Sequence, residues 1–143
     1  MRAFRAAFAF ALMMSLLQSG AALAERIEVR VSISQQKMIV FHEGRKLYEW
    51  PVSTAKSGSV TPPGIFKPEF LSKNHRSRRY NNAPMPFAIF YDGNYAIHGT
   101  TQVRKLGKPA SHGCVRLHPD NAKILFRMVK AEGMENMRIS IAQ

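Results

Sequence analysis

Cys114 is the single cysteine of this 143-residue chain, and it stands in Ala110-Ser111-His112-Gly113-Cys114-Val115-Arg116-Leu117. Upstream, His98 stands in Tyr95-Ala96-Ile97-His98-Gly99-Thr100. A thiol with imidazoles at hand has the parts of a nucleophilic acyl-transfer site. Thiolate is the attacking species, and a histidine removes the thiol proton or stabilises the ion pair. Cys114 is therefore the candidate nucleophile and His98 its base. Glycines beside both residues let a substrate backbone approach, and free N–H groups at Gly113 and Cys114 would form an oxyanion hole. No Asp or Asn partner for His98 is evident in the motif, which leaves the Gly99 carbonyl to orient it. His112 is expected to line the pocket, Ser111 to brace the loop through its hydroxyl, and Arg116 to bind a carboxylate or fix the loop. The plainer reading of a lone cysteine, a small buried side chain beside structural histidines, does not account for this grouping.

The pattern His98-Gly99-Thr100 followed by Ser111-His112-Gly113-Cys114-Val115-Arg116 resembles the L,D-transpeptidase (YkuD-type) catalytic domain. Thr61-Pro62-Pro63-Gly64-Ile65-Phe66 and Pro84-Met85-Pro86-Phe87 extend the resemblance, which covers nearly everything after residue 26. It implies a sandwich-like β fold and a lid before the catalytic histidine, with Tyr80 the candidate lid tyrosine near the oxyanion hole. It also implies a peptidoglycan stem tetrapeptide as donor, attacked after its third residue, a diamino acid, with loss of terminal D-Ala. The acceptor is then a stem amine (a 3→3 cross-link), a protein amine, or water; the last makes the enzyme an L,D-carboxypeptidase. No cofactor and no metal is implied.

The elements that must position these residues are mostly strands. Ile27, Val29, Val31 and Ile33 alternate with Glu28, Arg30 and Ser32, the period of a half-buried strand. Met38 to Phe41 and Leu47 to Val52 follow, separated by turn residues at Gln35-Gln36 and His42 to Arg45. Trp50 is expected to be a core or sheet-face aromatic. Ser53 to Gly64 reads as loop, ending at a strand that starts with Ile65-Phe66. Lys73 to Tyr80 is the most basic stretch; lacking apolar periodicity, it is expected to be an exposed loop, in which Arg76, Arg78 or Arg79 pairs with substrate carboxylates. Asp92-Gly93-Asn94 joins two strands as a hairpin, so that His98 ends the second strand and opens a glycine turn. Thr101 to Pro109 reads as loop. After a short strand at Val115 to Leu117, His118 caps a helix that Pro119 begins, Asp120 favours and Gly133 ends. Ala122, Leu125, Phe126, Met128 and Val129 give that helix one apolar face. Met137 to Ile141 is a last strand. The fold class is mainly β, with one clear helix near the C-terminus.

Residues 1–24 read as an export signal: Arg2 and Arg5, an apolar run from Ala6 to Leu17, then Ala22-Leu23-Ala24 as a small-x-small cleavage site. The run is shorter than a membrane span requires, so no stable span is expected after cleavage. Residues 25–143 then form one catalytic domain in the periplasm or cell envelope. An unpaired thiol in an exported chain points to a reactive group or an intermolecular bridge. Formal charge is +12, and removal of Arg2 and Arg5 leaves +10. Such a surplus favours polyanions. Export disfavours nucleic acid as that partner and favours an anionic envelope polymer or a carboxylate-rich peptide, with an envelope protein as a further acyl acceptor.

Two other classes compete. His98, His112, Cys114 and His118 are all potential zinc ligands, although His-x-Cys is not a common zinc spacing. A non-catalytic wall-binding protein would suit the basic surface but leaves the Cys/His set unexplained.

Overall fold

The computed structural model describes residues 25–143; the export-signal assignment falls on residues 1–24, outside the described residues. The fold is mainly β, with two mixed sheets and, among the described residues, one α-helix near the C-terminus. The first sheet contains β1 (Ile27–Ser32), β2 (Lys37–His42), β3 (Arg45–Pro51), β4 (Gly64–Phe66) and β9 (Met137–Ala142), in the order β3-β2-β1-β9-β4. The second contains β5 (Phe70–Arg76), β6 (Pro84–Asp92), β7 (Tyr95–Gly99) and β8 (Val115–Leu117), in that order. Each has one parallel pair, β1 with β9 and β7 with β8, the remaining pairs being antiparallel.

Alternation explains the core. Ile27, Val29 and Val31 of β1 are buried and face Met38 and Val40 of β2 and Ile139 and Ile141 of β9 on one side of the first sheet. Ile89, Ile97, Val115 and Leu117 supply the facing side of the second. Helix α1 (Pro119–Glu132) completes it with Ala122, Leu125, Phe126 and Val129, the i, i+3, i+4, i+7 stripe of a half-buried helix. His118 caps α1 through Nδ1, which accepts the Asp120 N–H at 3.2 Å, and Gly133 closes it at φ 93°. Trp50 is buried and stacks on Tyr48, ring centroids 4.8 Å apart. His42 ends β2, and its Nε2 lies 2.9 Å from Glu132 Oε1 in the last turn of α1.

The basic stretch departs from the loop expectation over half its length. Lys73 to Arg76 belongs to β5, and only Ser77 onward turns. As an edge strand with solvent around most of its side chains, β5 carries no apolar alternation of its own. The ladder to β6, with Asn74 opposite Pro86 and His75 opposite Met85, sets its conformation. The loop at Thr101 to Pro109 contains a 3₁₀ turn, Val103–Lys105. Gly99 ends β7 rather than opening a turn. A Cβ there would lie 3.0 Å from Pro86 Cγ and 3.1 Å from Pro119 Cα, so close approach, and not backbone freedom, requires the glycine.

Candidate active site

Strand pairing brings the two candidate residues to one face. Ile97 is the register partner of Val115, and His98 that of Arg116. Ile97 and Val115 point into the core, so the pleat turns Ala96, His98, Cys114 and Arg116 to the opposite face. Cys114 packs there against Met85, Ala88, Phe90 and Ala96. A cavity of about 900 Å³ opens over this face, with His98, His112, Cys114 and Arg116 in its walls and Arg78, Arg79 and Tyr80 across from them.

His98 is 6% exposed. Its Nδ1 lies 2.7 Å from the Gly99 carbonyl oxygen. A carbonyl only accepts, so Nδ1 carries the proton and Nε2 is left as the free acceptor. Burial pulls the pKa down to about 4, against the Gly99 hydrogen bond; Arg116 and His75 lower it further. Burial pushes the Cys114 thiol up, while a hydrogen bond from the Ala96 N–H and the charge of Arg116 pull it down. Both groups are therefore neutral at rest. The thiol donates to the Asn94 carbonyl at 3.7 Å, and among the described residues no hydrogen bond joins it to His98.

The nucleophile loop is stitched to residues distant in sequence. Thr54, fully buried, accepts the Ala110 and Ser111 N–H groups through its carbonyl, each at 2.9 Å. Ser53 Oγ has the Lys105 carbonyl (3.1 Å) and the Lys108 carbonyl within reach of its one proton, and its backbone bridges Arg116. Gln36, buried in the β1–β2 turn at φ 52°, holds Thr54 from behind: its Oε1 accepts the Thr54 N–H at 2.9 Å, and its Nε2 donates to Thr54 Oγ1. Within the loop, Ser111 Oγ donates to the Cys114 carbonyl at 2.6 Å and accepts the Gly113 N–H at 3.0 Å. That bond overturns one expectation, because the Gly113 N–H is not free to meet an oxyanion. Among the described residues the Cys114 N–H has no protein acceptor.

Opposite the loop, Tyr80 lies face to face on the His112 ring, 4.0 Å between centroids and 7° between planes, with the Arg79 guanidinium 5.5 Å over Tyr80. His112 is exposed, and slight desolvation together with the charges of Lys56, Arg116 and Arg79 holds it below its ordinary pKa. Arg116, half-buried, donates to Gln102 Oε1 at 3.2 Å and to the Ala110 carbonyl at 3.4 Å. His75 stands edge-on to Phe90 in the same cavity. The four residues weighed as zinc ligands do not converge: among the described residues no group of three His, Cys, Asp or Glu side chains is placed to hold a metal ion, and His118 Nδ1 is committed to the helix cap. No described helix is long and apolar enough to cross a membrane.

Sequence reasoning missed Thr61, Thr54, Ser53 and Gln36 as supports of the loop. Thr61 stood in a quoted motif, but its partner is Gly113, which local spacing does not point to.

Comparison with known proteins bears on the family and the fold. The model of the YkuD family, the L,D-transpeptidase catalytic domain, matches residues 26–139. A Bacillus licheniformis protein bearing the L,D-transpeptidase name YkuD is 29% identical over 94 residues, covering 63% of this chain and 52% of that protein. The solved L,D-transpeptidase (Yku) from Stackebrandtia nassauensis superposes with a TM-score of 0.71 at 25% identity, over 82% of this chain and 55% of that one. An L,D-transpeptidase from Mycobacterium smegmatis superposes at 0.73 with 22% identity, over 82% and 59%. The chain spans about half the length of the curated relatives it matches.

Proposed function

Since the chain belongs to the YkuD family of L,D-transpeptidase catalytic domains, we propose that it is an exported cysteine L,D-transpeptidase acting on peptidoglycan stem peptides through a Cys114 thioacyl-enzyme. The observation that carries this reading is the pair on the β7–β8 face: a buried neutral His98 with Nδ1 locked on the Gly99 carbonyl and Nε2 free, in the cavity that Cys114 lines. A neutral imidazole is what a general base for a neutral thiol must be.

In the proposed reaction the thiol turns from Asn94 to His98 as the donor enters. Cys114 Sγ adds to the carbonyl after the third stem residue, and its proton passes to His98 Nε2. The Cys114 N–H and the Tyr80 hydroxyl stabilise the oxyanion. The carbon–nitrogen bond breaks, His98 gives its proton to the departing D-Ala amine, and a thioester remains. An incoming amine then adds to the thioester and releases Cys114. A stem amine gives a 3→3 cross-link, a protein amine tethers that protein to the wall, and water would make the reaction carboxypeptidase action. Arg78, Arg79 and Arg116 suit a donor bearing free carboxylates.

Intact-mass measurement after incubation with purified muropeptide tetrapeptide tests this. A Cys114-dependent acyl adduct, release of D-Ala and a new dimer are expected, and C114A is expected to give none of them. Adduct and tripeptide without dimer would move the assignment to carboxypeptidase action or to a protein acceptor. A folded protein with no adduct and no turnover would overturn the enzyme reading.

A further inference from the structure

We propose that Thr61 is a positioning residue for this reaction: its hydroxyl fixes the plane of the Gly113–Cys114 peptide so that the Cys114 N–H, and not the Gly113 N–H, faces the oxyanion. The inference rests on the acyl-transfer reading above and adds to it the part that builds the oxyanion site.

Three observations lead there. Thr61 is 4% exposed, and its Oγ1 accepts the Ala55 N–H at 2.9 Å. The single hydroxyl proton is thereby directed to its other partner, the Gly113 carbonyl, at 2.8 Å. In a planar trans peptide the C=O and the following N–H point in opposite directions. Anchoring the Gly113 oxygen on Thr61 therefore turns the Cys114 N–H away from Thr61. Gly113 itself sits at φ 138°, where a Cβ would lie 2.5 Å from Tyr95 Cε1 and 2.7 Å from the Val60 carbonyl oxygen. Only glycine therefore fits between Tyr95 and the Val60 carbonyl at the position that carries this carbonyl. Finally, Ser111 Oγ takes the Gly113 N–H and donates to the Cys114 carbonyl. The Gly113 N–H, the Gly113 C=O and the Cys114 C=O all have partners, and the Cys114 N–H is the group left for a ligand. Were the peptide to flip, a carbonyl oxygen would face the developing negative charge. The Thr61 hydroxyl opposes that flip.

Two reactions of the same thiol separate this role from a merely structural one. Alkylation by iodoacetamide forms a carbon–sulfur bond as iodide leaves, with no oxyanion. Acetylation by p-nitrophenyl acetate adds sulfur to a carbonyl, passes through an oxyanion, and expels p-nitrophenolate while the thiol proton goes to His98. The ratio of the two rates is read on Cys114 in folded protein. Thr61→Val, close in shape but without the hydroxyl, is expected to lower the acetylation-to-alkylation ratio by about 10-fold or more, approaching the loss seen when an oxyanion donor is removed. Thr61→Ser is expected to restore it. An unchanged ratio in Thr61→Val overturns the inference and leaves the enzyme reading standing, whereas a wild-type protein that Cys114 never acylates overturns both. Should Thr61→Val not fold, the ¹⁵N-labelled wild-type protein decides. A peptide aldehyde bound to Cys114 as a hemithioacetal is expected to move the Cys114 amide proton downfield and leave that of Gly113 in place. A shift at Gly113 instead would overturn the assignment.

Discussion

At the scale of single residues, the resting state of the site is set by desolvation. His98 is buried on a sheet face with its one strong partner a carbonyl, and burial outweighs that bond to bring it to about 4. Cys114 is raised by the same cause. Two neutral groups, rather than a thiolate–imidazolium pair, predict a particular reactivity profile. Alkylation of Cys114 by iodoacetamide is expected to climb steadily into the alkaline range, without the plateau at about pH 5–7 that a resting ion pair produces. Stability should carry the same signature. Unfolded, an imidazole titrates near 6.5; folded, His98 refuses the proton until about 4. Its contribution is complete above 6.5 and is lost as pH falls toward 4, by roughly 3 kcal/mol across the window. Urea unfolding at pH 7 and pH 4.5 is expected to show a larger acid loss in the wild type than in His98→Asn, with the difference between the two isolating this group from the carboxylates.

Among elements, the site is a seam between β7, β8 and the Val52-to-Lys56 segment, which accepts the loop's N–H groups and bridges Arg116 and Ser111. Gly99 is the point where the seam meets α1. Gly99→Ala puts a methyl group against Pro86 Cγ and the backbone of Pro119. Neither can swing aside, and overpacking of about 1–3 kcal/mol is expected in chemical denaturation. Acylation should slow as well, because the Gly99 carbonyl that holds His98 would move. What could be read in advance here follows the range of the interactions. The alternation of β1, the Asp92-Gly93 hairpin and the His118-Pro119 helix start depend on neighbours within a few residues, and their signals are in the sequence. The strand character of Lys73 to Arg76 depends on a ladder to β6, and the supports Ser53, Thr54 and Thr61 have partners about fifty residues away or more. No local pattern announces those. The capture of the Gly113 N–H by Ser111 was within reach, since a serine hydroxyl often takes the N–H two residues on.

For the whole molecule, charge is distributed unevenly. Glu25, Glu28, Glu49 and Glu132 pair with Lys67, Arg30, with Lys37 and Lys46, and with Arg26 and His42, away from the cavity. Among the described residues Arg76, Arg78, Arg79 and Arg116 are among the cations with no carboxylate partner, and all but Arg76 line the site. Unpaired cations are spread over the rest of the surface as well, but these three arginines stand in the cavity wall with Asp92 as the carboxylate beside them. For a carboxylate-bearing stem peptide, kcat/KM is expected to drop several-fold between about 50 and 500 mM salt with kcat little changed. The neutral p-nitrophenyl acetate should show no such slope, and Arg78→Ala with Arg79→Ala should flatten it. The parallel pairing of β1 with β9 has a different kind of consequence. Ile27 lies beside Met137, so the interior strand of the larger sheet is flanked by the last strand of the domain. As the chain is synthesised from its N-terminal end, β1 and β2 emerge early, but the second edge of β1 stays bare until Met137–Ala142 follows. The main sheet cannot close on a partial chain, so its order is completed only by the last strand.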